Sequence, residues 1–396
     1  MGEPQEVTMQ IMVQEAKEAN SADSASITSR SAMEQRRRNY NWWFRISIYI
    51  IFLLVGQSVA VLLGRLYFVR GGKSKWMATL VQLIGFPILI PCYFFLKLKI
   101  PRENDIIITK SPSSLTLAAI YISFGLLIAV DCFLYSIGLQ YLPVSTYTLI
   151  CASQLAFNAF FSFFLNSQKF TPFIVNSLVL LTISSVLLVF NNESGNPTGV
   201  SKVKYAIGFV CTVAASAGYG LVLSLTQLFL RKVAKKQTFK VVMSMIIYPS
   251  AVATVVTLIG LFTSGEWNDL TREMNGYQLG KISYLMNLTW TAIIWQIFTI
   301  GCVGLIFEVS SLFSNSISVL GLPIVPVLSV FVFHDKMDGV KIISMVLAVW
   351  GFLSYVYQHY IDDQNSKAGN ESIGQVSKAS LLQLEELALK STSARV

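Results

Sequence analysis

Asp131 stands in Ile128-Ala129-Val130-Asp131-Cys132-Phe133, a carboxyl group with apolar neighbours on both sides. An ionised carboxylate in such surroundings costs several kcal/mol unless it is partnered or protonated. Its natural chemistry is the uptake and release of a proton. Glu308, in Leu305-Ile306-Phe307-Glu308-Val309, is a second acid of this kind. For both, the alternative is a structural pairing with a neighbouring helix. Amides form the other constellation. Tyr147, Cys151, Gln154 and Asn158 follow at intervals of four, three and four, which puts them on one helix face. Ser311, Asn315 and Ser318 make a similar polar stripe further on. Asn and Gln can pair in bidentate fashion with the donor–acceptor edge of a heterocyclic base, and aromatic faces stack on such rings for roughly 1–3 kcal/mol. Tyr135, Tyr147, Trp290 and Trp295 are the aromatic candidates, Trp290 being better suited to an interfacial anchor. The alternative for the amides is interhelical bonding, worth about 0.6 kcal/mol per bond in a membrane. For Gln154 and Asn158 the pattern favours neither.

Other chemistries lack their residues. There is no HExxH, GxSxG or GxGxxG motif. The two histidines, His334 and His359, are too few and too far apart in sequence for a metal site. The five cysteines sit singly in apolar runs and read as small hydrophobes. These absences argue against an enzyme and imply no cofactor. No Lys or Arg lies deep in an apolar run, so a phosphate-bearing ligand would find no compensating cation there. A neutral or weakly basic solute fits better.

The elements that hold these residues must be membrane helices. The 396 residues are 54% hydrophobic and 13% charged, against about 25% charged in a soluble domain. Lipid is therefore the solvent for much of the surface. The net charge of +9 sits mostly in short segments between apolar runs, as in membrane loops, and does not call for nucleic acid. Runs of about 20 residues, enough to cross about 30 Å, occur near 44–64, 76–96, 115–139, 143–165, 172–190, 205–229, 241–263, 290–308, 311–333 and 340–359. The fold expected is thus all-α and integral to the membrane, with ten transmembrane helices. Residues 1–41 read as a cytosolic arm without fixed structure and 361–396 as a cytosolic tail. With the N-terminus inside, basic residues number fourteen in the inner segments and ten in the outer ones, a modest bias in the expected direction. The sequons at Asn192 and Asn287 then face outward. Prolines 87, 91, 249, 323 and 326 fall inside predicted helices and mark kinks or hinges.

An internal repeat is visible. Phe164–Phe170 and Val332–Met337 are both an aromatic run followed by a short Lys-bearing turn, and Val144-Ser145-Thr146 resembles Val309-Ser310-Ser311. This divides the chain into five-helix halves, 42–190 and 205–360, joined by 191–204. Five is odd, so the halves insert oppositely, the plan of inverted-repeat carriers whose site lies near the midplane.

Several stretches resemble the plant purine permeases of the drug/metabolite transporter superfamily. They are Leu63-Gly64-Arg65-Leu66-Tyr67-Phe68 with Gly71-Gly72-Lys73-Ser74-Lys75-Trp76, Tyr141-Leu142-Pro143-Val144-Ser145-Thr146, and Gln154-Leu155-Ala156-Phe157-Asn158-Ala159 leading to Asn166–Pro172. Leu322-Pro323-Ile324-Val325-Pro326, Phe333–Lys341 and Trp350–Gln358 follow in order. The likeness covers about 42–362 and neither tail. It implies proton-coupled uptake of adenine-like bases, cytokinins or related heterocycles, without fixing which. Members resembling carriers of alkaloids or vitamin-like rings, and an uncoupled facilitator, remain alternatives. The partners implied are a small purine-like substrate, protons and the bilayer, with the plasma membrane as the expected location. The expected site residues are Gln154, Asn158, Tyr147, Asn315, Ser311, Tyr135 and Trp295 for substrate, and Asp131 and Glu308 for protons.

Overall fold

A computed structural model describes residue 37, residues 40–99, 113–167, 201–233, 239–322 and 324–333, and single helical positions within 172–183 and 339–361. The predicted tails, most of the fifth and tenth predicted helices, and the Asn192 sequon lie outside the described residues. Every regular element among the described residues is helical. Seven helices are long and apolar enough to cross a membrane, so the chain is an all-α integral membrane protein.

The helices are α1 Tyr40–Val69, α2 Lys75–Leu83, α3 Ile90–Lys99, α4 Ser114–Tyr141, α5 Val144–Cys151, α6 Gln154–Asn166, α7 Lys202–Lys232, α8 Phe239–Thr263, α9 Leu270–Gly276, α10 Gly280–Glu308, α11 Ser311–Gly321 and α12 Ile324–Phe333. Their ends have local causes. Ser74 caps α2 by accepting Met77 N–H, and Ser310 caps α11 by accepting Phe313 N–H, satisfying amides with no intrahelical acceptor. Pro143 starts α5, where its missing N–H costs nothing. The second predicted helix is interrupted: α2 gives way to a 3-10 turn at Phe86–Leu89 with Pro87 near its start before α3 resumes. The fourth is interrupted at Ala152–Ser153, between α5 and α6. The ninth is likewise in two pieces, α11 and α12.

The halves expected from the repeat interlock. Helix α4 packs chiefly against α7 and α8, and α6 against α7 and α11. Close crossings rest on small residues. At Gly301 of α10 an added Cβ would lie 2.6 Å from Leu53 N, and at Gly56 of α1 one would lie 2.8 Å from Phe298 N. Backbone meets backbone there, and no side chain fits between.

Asn287 is 6% exposed within α10. Its sequon is therefore buried in a helix rather than placed on an outer loop as expected. Trp290 on the same helix is half exposed on the outer surface, in keeping with an anchor.

Candidate functional site: a central cavity and the seam beside it

A cavity of about 150 Å3 lies between α1, α2, α4, α5, α6, α7, α8, α10 and α11. In another protein a cavity of this volume takes up benzene, so the scale is that of a small planar ring system. Its wall is mostly apolar, with a few convergent polar groups, the usual make-up of a small-molecule site. No Lys, Arg or His lines it among the described residues.

Five of the expected residues line this cavity: Asp131, Tyr135, Tyr147, Gln154 and Trp295. Asp131 is 5% exposed on α4, and its Oδ1 has no hydrogen-bond partner among the described residues. It lies against Gly218 of α7, where an added Cβ would come within 2.4 Å of Oδ1. The acid thus sits beside bare backbone, with no ion pair among the described residues. An unpaired buried carboxylate is expensive, and the same group protonated is much less so. Tyr135 and Tyr147 meet edge to face at 6.0 Å between ring centres, and Trp295 meets Phe298 at 5.2 Å in the same manner.

Gln154 belongs to a chain of hydrogen bonds along the wall. Tyr135 Oη donates to Gln154 Oε1 at 3.5 Å, Gln154 Nε2 donates to Ser318 Oγ at 3.1 Å, and Ser318 Oγ donates to Gln57 Oε1 at 2.8 Å. Gln57 on α1 was not among the residues expected. Its signal was the same as that of Gln154, an amide inside an apolar run. Gln82 also lines the cavity and donates to Ser136 Oγ at 2.9 Å.

Asn158, Ser311 and Asn315 do not line the cavity. They form a seam between α6 and α11. Asn158 Nδ2 donates to Ser311 O at 3.1 Å, and Asn315 Nδ2 donates to Gln154 O at 3.1 Å. Each asparagine therefore bonds the carbonyl four residues before the other, and the two helices run antiparallel through the contact. Asn158 Oδ1 also accepts Ser224 Oγ at 2.8 Å and Ser162 Oγ at 3.3 Å. Ser311 N–H and Oγ–H both go to Gln227 Oε1, at 2.8 and 2.5 Å. The exchange relates Ser310–Asn315 to Ser153–Asn158, each a serine just before a helix. The similarity expected between Val144-Ser145-Thr146 and Val309-Ser310-Ser311 has a different register. Glu308 also lies off the cavity wall. It accepts Arg45 Nε at 3.1 Å and Arg45 Nη2 at 3.4 Å, closing the end of α10 onto the start of α1.

The other end of α1 is held by a second acid. Glu273 Oε1 accepts Tyr67 Oη at 2.5 Å and Tyr284 Oη at 3.0 Å, and its Oε2 accepts the amides of Lys73 and Ser74 at 2.9 and 3.1 Å. Glu266 Oε2 accepts Ser74 Oγ at 2.7 Å and Trp76 N–H at 3.2 Å. Two carboxylates thus face the N-terminus of α2, where unpaired amides and the helix dipole favour negative charge. Tyr277, in the same loop, has its hydroxyl pushed above its ordinary pKa, first by burial.

Comparison with known proteins agrees with a transport cavity. Residues 44–365 match the family described as purine nucleobase transmembrane transport. Among its relatives in Arabidopsis thaliana, "Probable purine permease 10" is 58% identical over 366 residues, covering 92% of this chain and 93% of the relative. "Purine permease 21" is 57% identical over 367 residues, with the same coverage of each. "Probable purine permease 8" is 58% identical over 342 residues, 86% of this chain and 87% of the relative. Such proteins are permeases, not enzymes. The chain belongs to the plant purine permease family of integral membrane transporters.

Proposed function

We propose that this protein is a proton-coupled carrier of purine nucleobases and related neutral heterocycles, cytokinins among them, working by alternating access. The observation that carries the coupling is Asp131: a carboxyl group on the cavity wall, against Gly218, with no cation beside it among the described residues to hold its charge. A ligand bound beside it and a proton bound on it share one enclosure. Tyr135, Tyr147 and Trp295 offer ring faces, and Gln154 and Gln57 offer amide edges. The lack of any basic side chain on the wall among the described residues favours an uncharged cargo.

The architecture proposed is ten helices in two oppositely inserted halves, with both termini in the cytosol and the plasma membrane as location. The antiparallel, reciprocal contact of Asn158 and Asn315 supports a twofold relation between α6 and α11. In this reading Asn158, Ser311 and Asn315 hold the halves together and do not touch cargo. Glu308 takes part only through its pair with Arg45.

The driving force suffices. One charge crossing 100 mV yields about 2.3 kcal/mol, and two pH units yield about 2.7 kcal/mol. Either supports accumulation of a neutral solute of roughly fifty- to hundredfold. The test is uptake of labelled adenine into proteoliposomes with an imposed pH gradient. Accumulation should collapse with a protonophore, and Asp131→Asn should abolish accumulation while leaving exchange of adenine across the membrane. Full pH-driven accumulation in Asp131→Asn removes Asp131 from the mechanism. Uptake that only equilibrates and ignores pH makes the protein an uncoupled facilitator.

A further inference from the structure

Gln57 is 7% exposed and belongs to the cavity wall. The bonds around it run in one direction. Gln154 Nε2 can only donate to Ser318 Oγ, so the single hydroxyl proton of Ser318 is free to go to Gln57 Oε1, at 2.8 Å. Gln57 Oε1 is thereby engaged. Its Nε2 makes no hydrogen bond among the described residues. Its two amide protons border a largely apolar space and lack an acceptor among the described residues. A donor facing a cavity is costly to leave unmet once a ligand fills the space and closes it off, so a ligand that meets it is selected over one that does not.

We infer that Gln57 is a specificity-determining residue that donates to an acceptor atom of a planar heterocycle, an unprotonated ring nitrogen or a ring carbonyl. Ser318 is the positioning residue: it holds Oε1 away from the ligand and so turns Nε2 toward it. With Ser318 reduced to alanine, Gln57 can present either end, and discrimination between acceptor and donor edges falls. The inference rests on the purine-carrier reading and deepens it, because it names which feature of the ring the cavity reads.

The experiment uses the full chain in proteoliposomes, labelled adenine as substrate, and the 1-, 3- and 7-deaza analogues of adenine as competitors. Each analogue replaces one ring acceptor by C–H. In the wild type, one analogue should compete about tenfold or more worse than the others. Gln57→Leu should raise the KM for adenine by a similar factor, with little change in kcat, and should make that analogue equivalent to adenine. Gln57→Glu keeps the volume but replaces the donor with an acceptor, so it should also lose the preference if the leucine variant does not fold. Ser318→Ala should blunt the preference and Ser318→Thr should restore it. Equal competition by all three analogues in the wild type, or an unaltered preference in the Gln57 variants, overturns the assignment while adenine transport stands. A wild-type protein that carries no adenine refutes the purine-carrier reading, and the inference falls with it.

Discussion

Gly218→Ala puts a methyl group where Asp131 Oδ1 now lies. The added Cβ would be 2.4 Å from that oxygen and 3.4 Å from Asp131 Cγ. Non-bonded contacts of a Cβ below 3.0 Å essentially never occur, so the carboxyl or α7 must retreat by about 0.6 Å or more. Because the carboxyl is the free end of a side chain on the cavity wall, the cost falls at the low end of the roughly 1–3 kcal/mol typical of overpacking. In an Asp131→Ala background the obstacle is gone. Alanine then replaces glycine inside a helix, which favours folding by about 0.5–1 kcal/mol. The sign of the same substitution should therefore reverse between the two backgrounds, a coupling of at least about 1.5 kcal/mol. Reversible unfolding of the purified protein in mixed detergent micelles measures all four corners of this cycle. Additivity within about 0.5 kcal/mol would mean that the carboxyl does not rest against Gly218. Proton-driven adenine uptake supplies an independent readout. Gly218→Ala should shift its pH profile, because the displaced carboxyl loses its fixed surroundings.

Asn158→Ala removes three side-chain bonds and should cost about 2 kcal/mol at about 0.6 kcal/mol each. Asn315→Ala removes one and should cost about 0.6 kcal/mol. Both should leave the KM for adenine within about twofold, and a tenfold rise at unchanged stability would move these residues to the ligand. Glu273→Gln turns a carboxylate that receives four donors into an amide that must present two of its own. At about 1–3 kcal/mol, the amides of Lys73 and Ser74 should exchange hydrogen one to two orders of magnitude faster, and wild-type protection in the variant contradicts the clamp. Arg45→Ala breaks a pair whose arginine side chain is 55% exposed. It should lower stability by less than about 1 kcal/mol, and a larger loss that persists in high salt argues for a drier pair.

The apolar runs made most of the helices legible, because about 20 residues of hydrocarbon-compatible chain admit few other structures. The breaks were less so. The spacing of Tyr147, Cys151, Gln154 and Asn158 describes one continuous helix, yet at Ala152–Ser153 between α5 and α6 the backbone, still in right-handed helical angles, tightens to three-residue hydrogen bonds such as Ser153 N–H to Ile150 O. Tyr147 and Gln154 keep to the cavity, while Asn158 lies one turn deeper, against α7 and α11. Periodicity gives a face but cannot say which neighbour covers each turn of it. Glu273 was illegible for another reason. A charge in a polar loop reads as solvated, and only folding brings it, 9% exposed, onto amides about 200 positions earlier in the chain. Glu308 was recognised as unusual, but its partner Arg45 lies 263 positions away and nothing local pointed to it.

Helix α1 is a beam pinned at both ends. Arg45 ties it to the last turn of α10, and Tyr67 ties it through Glu273 to α9, the short helix that precedes α10. The 22 residue-to-residue steps from Arg45 to Tyr67 span about 33 Å at 1.5 Å each, close to the thickness of the hydrocarbon layer. Gln57 sits near the middle of that length, and Gly56 beside it touches α10 backbone to backbone. A strut held this way at each end and braced at its centre can flex but resists swinging until a fastening opens, and the one at Arg45 is the easier to open. Under the proposed alternating access, cargo leaving past either end of α1 requires the fastening at that end to release while the other holds.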